Sequence, residues 1–250
     1  MRSWRPQFDI YEARINGHRL FVRIDLAARP HVPLVTHPYQ LTVSTALSNP
    51  HRDGLRTTEE APAIFALEDV LVAALEGELD AVFAYAAVVN GRQLWTFYVP
   101  EGARDKVEPT VTACCSPSYR LQPRLVEDRE WSGYLKAYPD ERTLQMIMNR
   151  QVLTQLKAKG DLLAPVRPIQ HRVYLPSQTA AQAASAALSK RGFAMATPPQ
   201  IVEQRGWAVD FSRSESCQPP HPDSWTSEIL DIVVPLGGDY DGWDCLVVKA

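Results

Sequence analysis

The chain has 250 residues, 45% hydrophobic and 22% charged, with twenty prolines against twelve glycines, the composition of a globular protein of one large or two ordinary domains. Its formal charge of −3 is spread evenly, −2 over residues 1–137 and −1 over 138–250, so it lacks the basic footprint of an RNA or DNA binder. The N-terminus, Met1-Arg2-Ser3-Trp4-Arg5-Pro6, lacks the apolar core of a secretory signal, and apolar runs such as Ala81–Gly91 fall far short of the ~20 residues that cross a bilayer.

In chain order, two alternating runs, Tyr11–Ile15 and Leu20–Leu26, flank Asn16-Gly17, a strong hairpin signal. A third strand spans 40–47 and ends before Asn49-Pro50. Thr57-x-x-Glu60 has capping-box spacing, and Ile64, Leu67, Leu71 and Leu75 then form one helical stripe with Gly77 as its stop. Residues 81–89 and 93–99 make a second hairpin across Asn90-Gly91. A weaker helix over 103–115, opposed by Pro109 and β-branched residues, precedes a last strand over 119–126. Charged and aromatic residues over 127–141, including Trp131, Tyr134 and Tyr138, read as a joint pinned against a domain.

The second half opens with a helix over 141–159, its buried face set by Leu144, Met148, Val152 and Leu156 and its stop by Gly160. His171, Val173 and Leu175 alternate as a strand, and Thr179-x-x-Gln182 caps an alanine-rich helix ending before Gly192. Strands follow at Phe193 and at 207–211, then a polar loop over 212–223. A short helix near 229–236 is opposed by Pro235, and an apolar terminal strand over 245–248 closes the chain. Gly237-Gly238-Asp239-Tyr240-Asp241-Gly242-Trp243-Asp244 reads as the tight turn at that strand's mouth.

Both halves therefore read β-α-β-β-α-β, the ferredoxin-like order. The expected fold is α+β: two tandem ferredoxin-like sandwiches, residues 1–137 preceded by a β-hairpin and residues 138–250 preceded by a helix.

Chemistry-bearing motifs are scarce. Cys114 and Cys115 are adjacent while Cys217 and Cys245 stand alone, which is neither a disulfide framework nor a C-x-x-C pair and points to a cytoplasmic setting. Cys217 with His221 lacks a second ligand pair for zinc, and Asp239, Asp241 and Asp244 lack the spacing of a calcium loop. His171 has no serine or cysteine nucleophile at a recognisable spacing, so it reads as a hydrogen-bonded, half-buried histidine. No Gly-rich phosphate loop or other cofactor motif occurs, and the expected protein is not an enzyme.

Leu156-Lys157-Ala158-Lys159-Gly160-Asp161, His171 with the helix 178–191, Gly192-Phe193-Ala194-Met195 and above all Tyr240-Asp241-Gly242-Trp243 carry a resemblance to the RraB family. Members of that family are regulators that inhibit the ribonuclease RNase E. The first half, through Arg14-Ile15-Asn16-Gly17, Phe21–Asp25, Asn49-Pro50, Asp53-Gly54-Leu55 and Thr58-Glu59-Glu60, resembles a bacterial domain of unknown function found fused ahead of RraB-like domains. The resemblance implies a non-catalytic cytoplasmic regulator that binds a protein partner, an RNase E-type nuclease, with no cofactor, no membrane and no direct contact with nucleic acid. Tyr240, Asp241, Trp243 and His171 are the candidate partner-binding residues, although Trp243 reads first as a ring closing the sheet edge. This half departs from the strongly acidic family pattern, carrying only −1. A small-ligand sensor with a pocket between the sandwiches, or an enzyme using His171 or the cysteines, are the alternatives.

Overall fold

A computed structural model describes residues 3–249; Met1, Arg2 and Ala250 lie outside the described residues. The chain divides into two compact units between Pro139 and Asp140. No described helix is long and apolar enough to cross a membrane.

The first unit is built on a six-stranded antiparallel sheet of β1 (Phe8–Ile15), β2 (His18–Asp25), β3 (Tyr39–Ala46), β4 (Val82–Val89), β5 (Arg92–Val99) and β6 (Gln122–Glu127). Asn16 and Asn90, each followed by glycine, take positive φ at both turn positions, so both hairpins turn in the sense that matches strand twist. The edge-to-edge order is β1-β2-β4-β5-β3-β6. Without the opening hairpin, this is the order that β-α-β-β-α-β connections give a ferredoxin-like sheet. Helices α1 (Ala61–Leu79) and α2 (Arg104–Ala113) join its strands and bury Ile64, Leu67, Leu71, Leu75, Val107 and Val111 in one core with Trp95 and Phe97. Helix α1 runs through Gly77; the left-handed Asp80 ends it instead, and Ala81 N–H donates to the Leu75 carbonyl. Glu60 does not close a capping box. Its carboxylate accepts from Ser48 N, Asn49 N and the Tyr119 hydroxyl.

A second core gathers Val22, Ile24, Val82 and Tyr98 with Trp131 and Tyr134, so β4 is apolar nearly throughout. Trp131 stacks on Tyr98 with ring centroids 3.7 Å apart, and the Tyr134 hydroxyl donates to the Asp25 carbonyl at 2.7 Å. The aromatic joint, with α3 (Ser132–Ala137), is thus pinned to this unit.

In the second unit, helix α4 (Glu141–Ala158) precedes β7 (Arg167–Leu175), α5 (Gln178–Lys190), β8 (Ala194–Met195), β9 (Gln200–Val202), β10 (Gly206–Glu215), α6 (His221–Val233) and β11 (Asp239–Cys245). The sheet order is β11-β7-β10-β8 with β9 also on β10, the same ferredoxin-like arrangement with its second strand in two pieces. Two tandem sandwiches, the first with an added hairpin and the second with a leading helix, are therefore the architecture. Five local expectations of this unit are corrected. Ser177, not Thr179, caps α5, and the strand expected to end at 211 runs on to Glu215. Helix α6 has 13 residues, because burying Trp225, Ile229, Leu230 and Val233 outweighs the weak helix propensity of its β-branched residues. The glycine-aspartate motif lies inside β11 and not at its mouth, whereas 246–248 are irregular. On α4 the buried residues are Gln145, Ile147, Asn149 and Leu156, while Met148 is 45% exposed: the face turned inward is half polar.

Candidate functional site

The register of β11 against β7 organises the site. Tyr240 faces Val173 and Gly242 faces Arg172, which leaves Asp241 as the extra residue of a β-bulge. Gly242 has φ +117°, where a side chain is strained even with open space around its Cα. The bulge keeps Tyr240 and Trp243 on the inner side of the sheet and leaves Asp241 exposed.

Three of the four candidate residues form a buried shell. His171 is 3% exposed and meets Phe211, Trp225, Phe193 and Tyr240, with ring centroids 5.2, 5.1, 5.7 and 6.1 Å away. Its Nδ1 shares a 2.8 Å hydrogen bond with the Tyr240 hydroxyl, while Nε2 has no partner among the described residues. Burial, with the Arg213 charge nearby, pulls the imidazole pKa down to about 3. Burial likewise pushes Tyr240 well above the usual phenol range, so the pair is neutral near pH 7. A general base works near its operating pH, and this imidazole is far below it.

Trp243 donates from Nε1 to Asn149 Oδ1 at 2.9 Å and meets Trp225 edge to face at 5.0 Å. Asn149 also accepts from Gln145 and donates to Asp223 Oδ1 and Thr226 Oγ1 at 2.8 and 3.0 Å. Here lies the reason for the two polar residues on the buried side of α4: they tie the motif tryptophan to α6 through a satisfied buried network.

The outer face of the sheet carries the charge. Asp241 pairs with Arg205 at 2.8 Å, and Asp239 lies 3.6 Å from the same guanidinium. Arg172 holds Asp210 through two bonds of 2.6 and 2.9 Å. Asp244 is exposed and has no ion pair among the described residues. Three carboxylates thus share two arginines, with Asp244 as an unpaired fourth, around a shallow, mostly polar hollow of about 510 Å³ lined by Gln170, Arg172, Asp210, Asp241 and Asp244. Among the described residues, no group of three or more histidine, cysteine or acidic side chains is placed to hold a metal ion.

Sequence reasoning missed two pairings. Cys217 and Cys245 bring their sulfurs to 3.8 Å, and burial pushes the Cys217 thiol up to about 12. Asp161 and Arg167 form a buried bidentate pair at 2.6 and 2.8 Å, which holds the Asp161 carboxyl down to about 2. Asp161 also accepts from Leu163 N and Val248 N, so it fastens the C-terminal segment. In sequence only the six-residue spacing of Asp161 and Arg167 hinted at either pairing.

Residues 6–138 match the model of a family of unknown function (DUF695), and residues 146–245 match that of the Regulator of ribonuclease activity B, RraB. No curated protein matches the chain. Among solved structures, an unknown protein from Galdieria sulphuraria is 12% identical, with 84% of this chain and 99% of that one covered and a TM-score of 0.23. A putative glycine cleavage system transcriptional repressor is 8% identical, with 84% and 98% covered and a TM-score of 0.25. The chain belongs to the DUF695 family, and in it that domain is followed by an RraB region.

Proposed function

We propose that this protein is a non-catalytic regulator that binds a ribonuclease of the RNase E type through the outer face of its second sheet, in a bacterial cytoplasm. The RraB match over residues 146–245 carries the reading. Asp241 is the contact residue, with Asp239 and Asp244 beside it, and the buried Tyr240, Trp243 and His171 hold the bulge that presents it. An excess of carboxylates repels RNA phosphates and attracts a basic protein surface, so this face suits the nuclease and not its substrate. Clustering matters more than the net −1 of the half, because electrostatic complementarity acts over the distance of a Debye length, about 8 Å in physiological salt.

The test titrates the full chain into a cleavage assay with a purified RNase E-type nuclease and a fluorogenic RNA. Cleavage should slow, and the slowing should weaken as salt rises. Asp241→Lys combined with Asp244→Lys should raise the concentration for half-inhibition about tenfold or more while the circular dichroism stays unchanged. An unchanged cleavage rate at large excess of the chain would overturn the proposal, as would undiminished inhibition by the double variant.

A further inference from the structure

A second site lies wholly within the first unit. The hairpin β1–β2 extends the sheet past the area that α1 covers, so the face of β2 and β4 carrying Phe21, Arg23, Ala86 and Val88 opens beside Phe65 and Glu68 of α1. The segment 51–56 walls the opening. It is fixed because the Gly54 carbonyl accepts from Gly91 N–H at 2.8 Å, an approach so close that a Cβ on Gly54 would sit 2.7 Å from the Asn90 Cα. The result is an open pocket of about 970 Å³, at the upper end of the range for small-molecule sites.

Its charges are unevenly matched. Arg19, Arg23, Arg52 and Arg56 line it against only two carboxylates, Asp53 and Glu68. Arg19 is committed to Glu12 and Asp53. Glu68 gives one oxygen to Arg23 at 2.5 Å and the other to Trp95 Nε1 at 2.8 Å. Arg56 is left with a neutral acceptor, Gln93 Oε1 at 3.1 Å, and lies over the Phe65 ring at 4.4 Å. Burial works against its charge and lowers its pKa despite the nearby charges of Glu68 and Glu60, a cost that an anion bound directly to the guanidinium would offset. Arg23 Nε is itself buried with no acceptor among the described residues. Apolar surface adjoins these cations: Phe65 and Ile10 are each 44% exposed, and Leu55 and Val88 complete the wall.

We propose that this pocket binds a small amphipathic monocarboxylate, its carboxylate on Arg56 and its apolar body along Phe65, Ile10 and Val88. Arginine's planar fork matches a carboxylate in a bidentate way, and the stacked Phe65 pre-orients it. The proposal is independent of ribonuclease binding.

Decanoate is the probe, with decanoic methyl ester, inorganic phosphate and a short acidic peptide as comparison ligands, titrated calorimetrically into the full chain. Decanoate should bind with a Kd below about 1 mM, and the ester and phosphate at least about tenfold more weakly. Arg56→Met should weaken decanoate about tenfold. In the wild-type chain, methyl and aromatic NMR shifts on adding decanoate should concentrate at Ile10, Leu55, Phe65 and Val88, a readout independent of how the variant folds. No saturable decanoate binding, equal binding of the ester, shifts centred elsewhere, or preferential binding of an acidic peptide over decanoate would each overturn the proposal.

Discussion

Acid should destabilise the second unit through His171. In the native chain the imidazole pKa is about 3, against 6.5 for an ordinary histidine. A group whose folded pKa is depressed stays neutral in the fold while the unfolded chain takes up a proton. Unfolding is therefore favoured as pH falls below about 6.5, and the loss continues down to the folded value. The slope is about 1.4 kcal/mol per pH unit, so going from pH 7 to pH 5 costs about 2 kcal/mol from this residue alone. The groups that set the shift are the surrounding rings of Phe193, Phe211 and Trp225 and the Arg213 guanidinium, itself paired with Glu215 and Glu228. A reference lacking the titration is His171→Phe with Tyr240→Phe, which removes both hydrogen-bond partners and leaves neither orphaned. Urea unfolding of both proteins at pH 7 and pH 5 gives the difference of differences, in which all other titrations cancel. A wild-type excess loss of about 2 kcal/mol is expected, together with a His171 Cε1–H shift that stays flat down to pH 5. An imidazole that titrates near pH 6 in the native chain, or equal acid losses in the two proteins, would refute the burial argument.

Further substitutions probe the bulge, its tryptophan and the glycine ahead of it. Trp243→Ala should cost about 3–5 kcal/mol of stability by urea unfolding. Trp243→Phe should cost only about 1–2 kcal/mol, because Asn149 Oδ1 keeps its bond from Gln145 when the indole N–H is lost. Gly242→Ala should cost about 1–3 kcal/mol from backbone strain alone, since nothing lies within 4 Å of the added Cβ. Gly238 is the opposite case: its φ is not left-handed, but a Cβ would meet Leu175 Cδ1 at 2.5 Å, Val233 Cγ1 at 2.6 Å and the Tyr174 carbonyl oxygen at 3.0 Å, so Gly238→Ala should cost about 1–3 kcal/mol from overpacking. Equal and negligible costs in unfolding at the two glycines would contradict both accounts.

The order of elements was legible because each carries its own local signal. Alternation places Val22 and Ile24 on the buried side of β2, the Ile64–Leu75 stripe is the inner face of α1, and both Asn-Gly pairs turn hairpins. The errors fall where a tertiary partner decides. Apolar periodicity chose Met148 for the core of α4, yet that helix turns Gln145 and Asn149 inward because Trp243, Asp223 and Thr226 supply their hydrogen bonds. No window on α4 contains those partners, which lie 74 to 94 residues away.

The same reasoning separates what the terminal motif does from what its composition suggests. Tyr240, Asp241 and Trp243 look alike as candidates for contact, but a one-residue bulge sends the two rings inward and the carboxylate out. Under the proposed function, binding specificity lies with Asp241 and its charged neighbours, while the aromatic residues fix where that carboxylate stands. The arginine pocket is less legible still, since it is assembled from β2, the 51–56 segment, α1 and β4–β5. Each of its arginines looks in sequence like one more member of a balanced surface charge. Only pairing Arg19 with Glu12 and Asp53, and Glu68 with Arg23 and Trp95, shows that Arg56 faces the pocket with no carboxylate partner among the described residues.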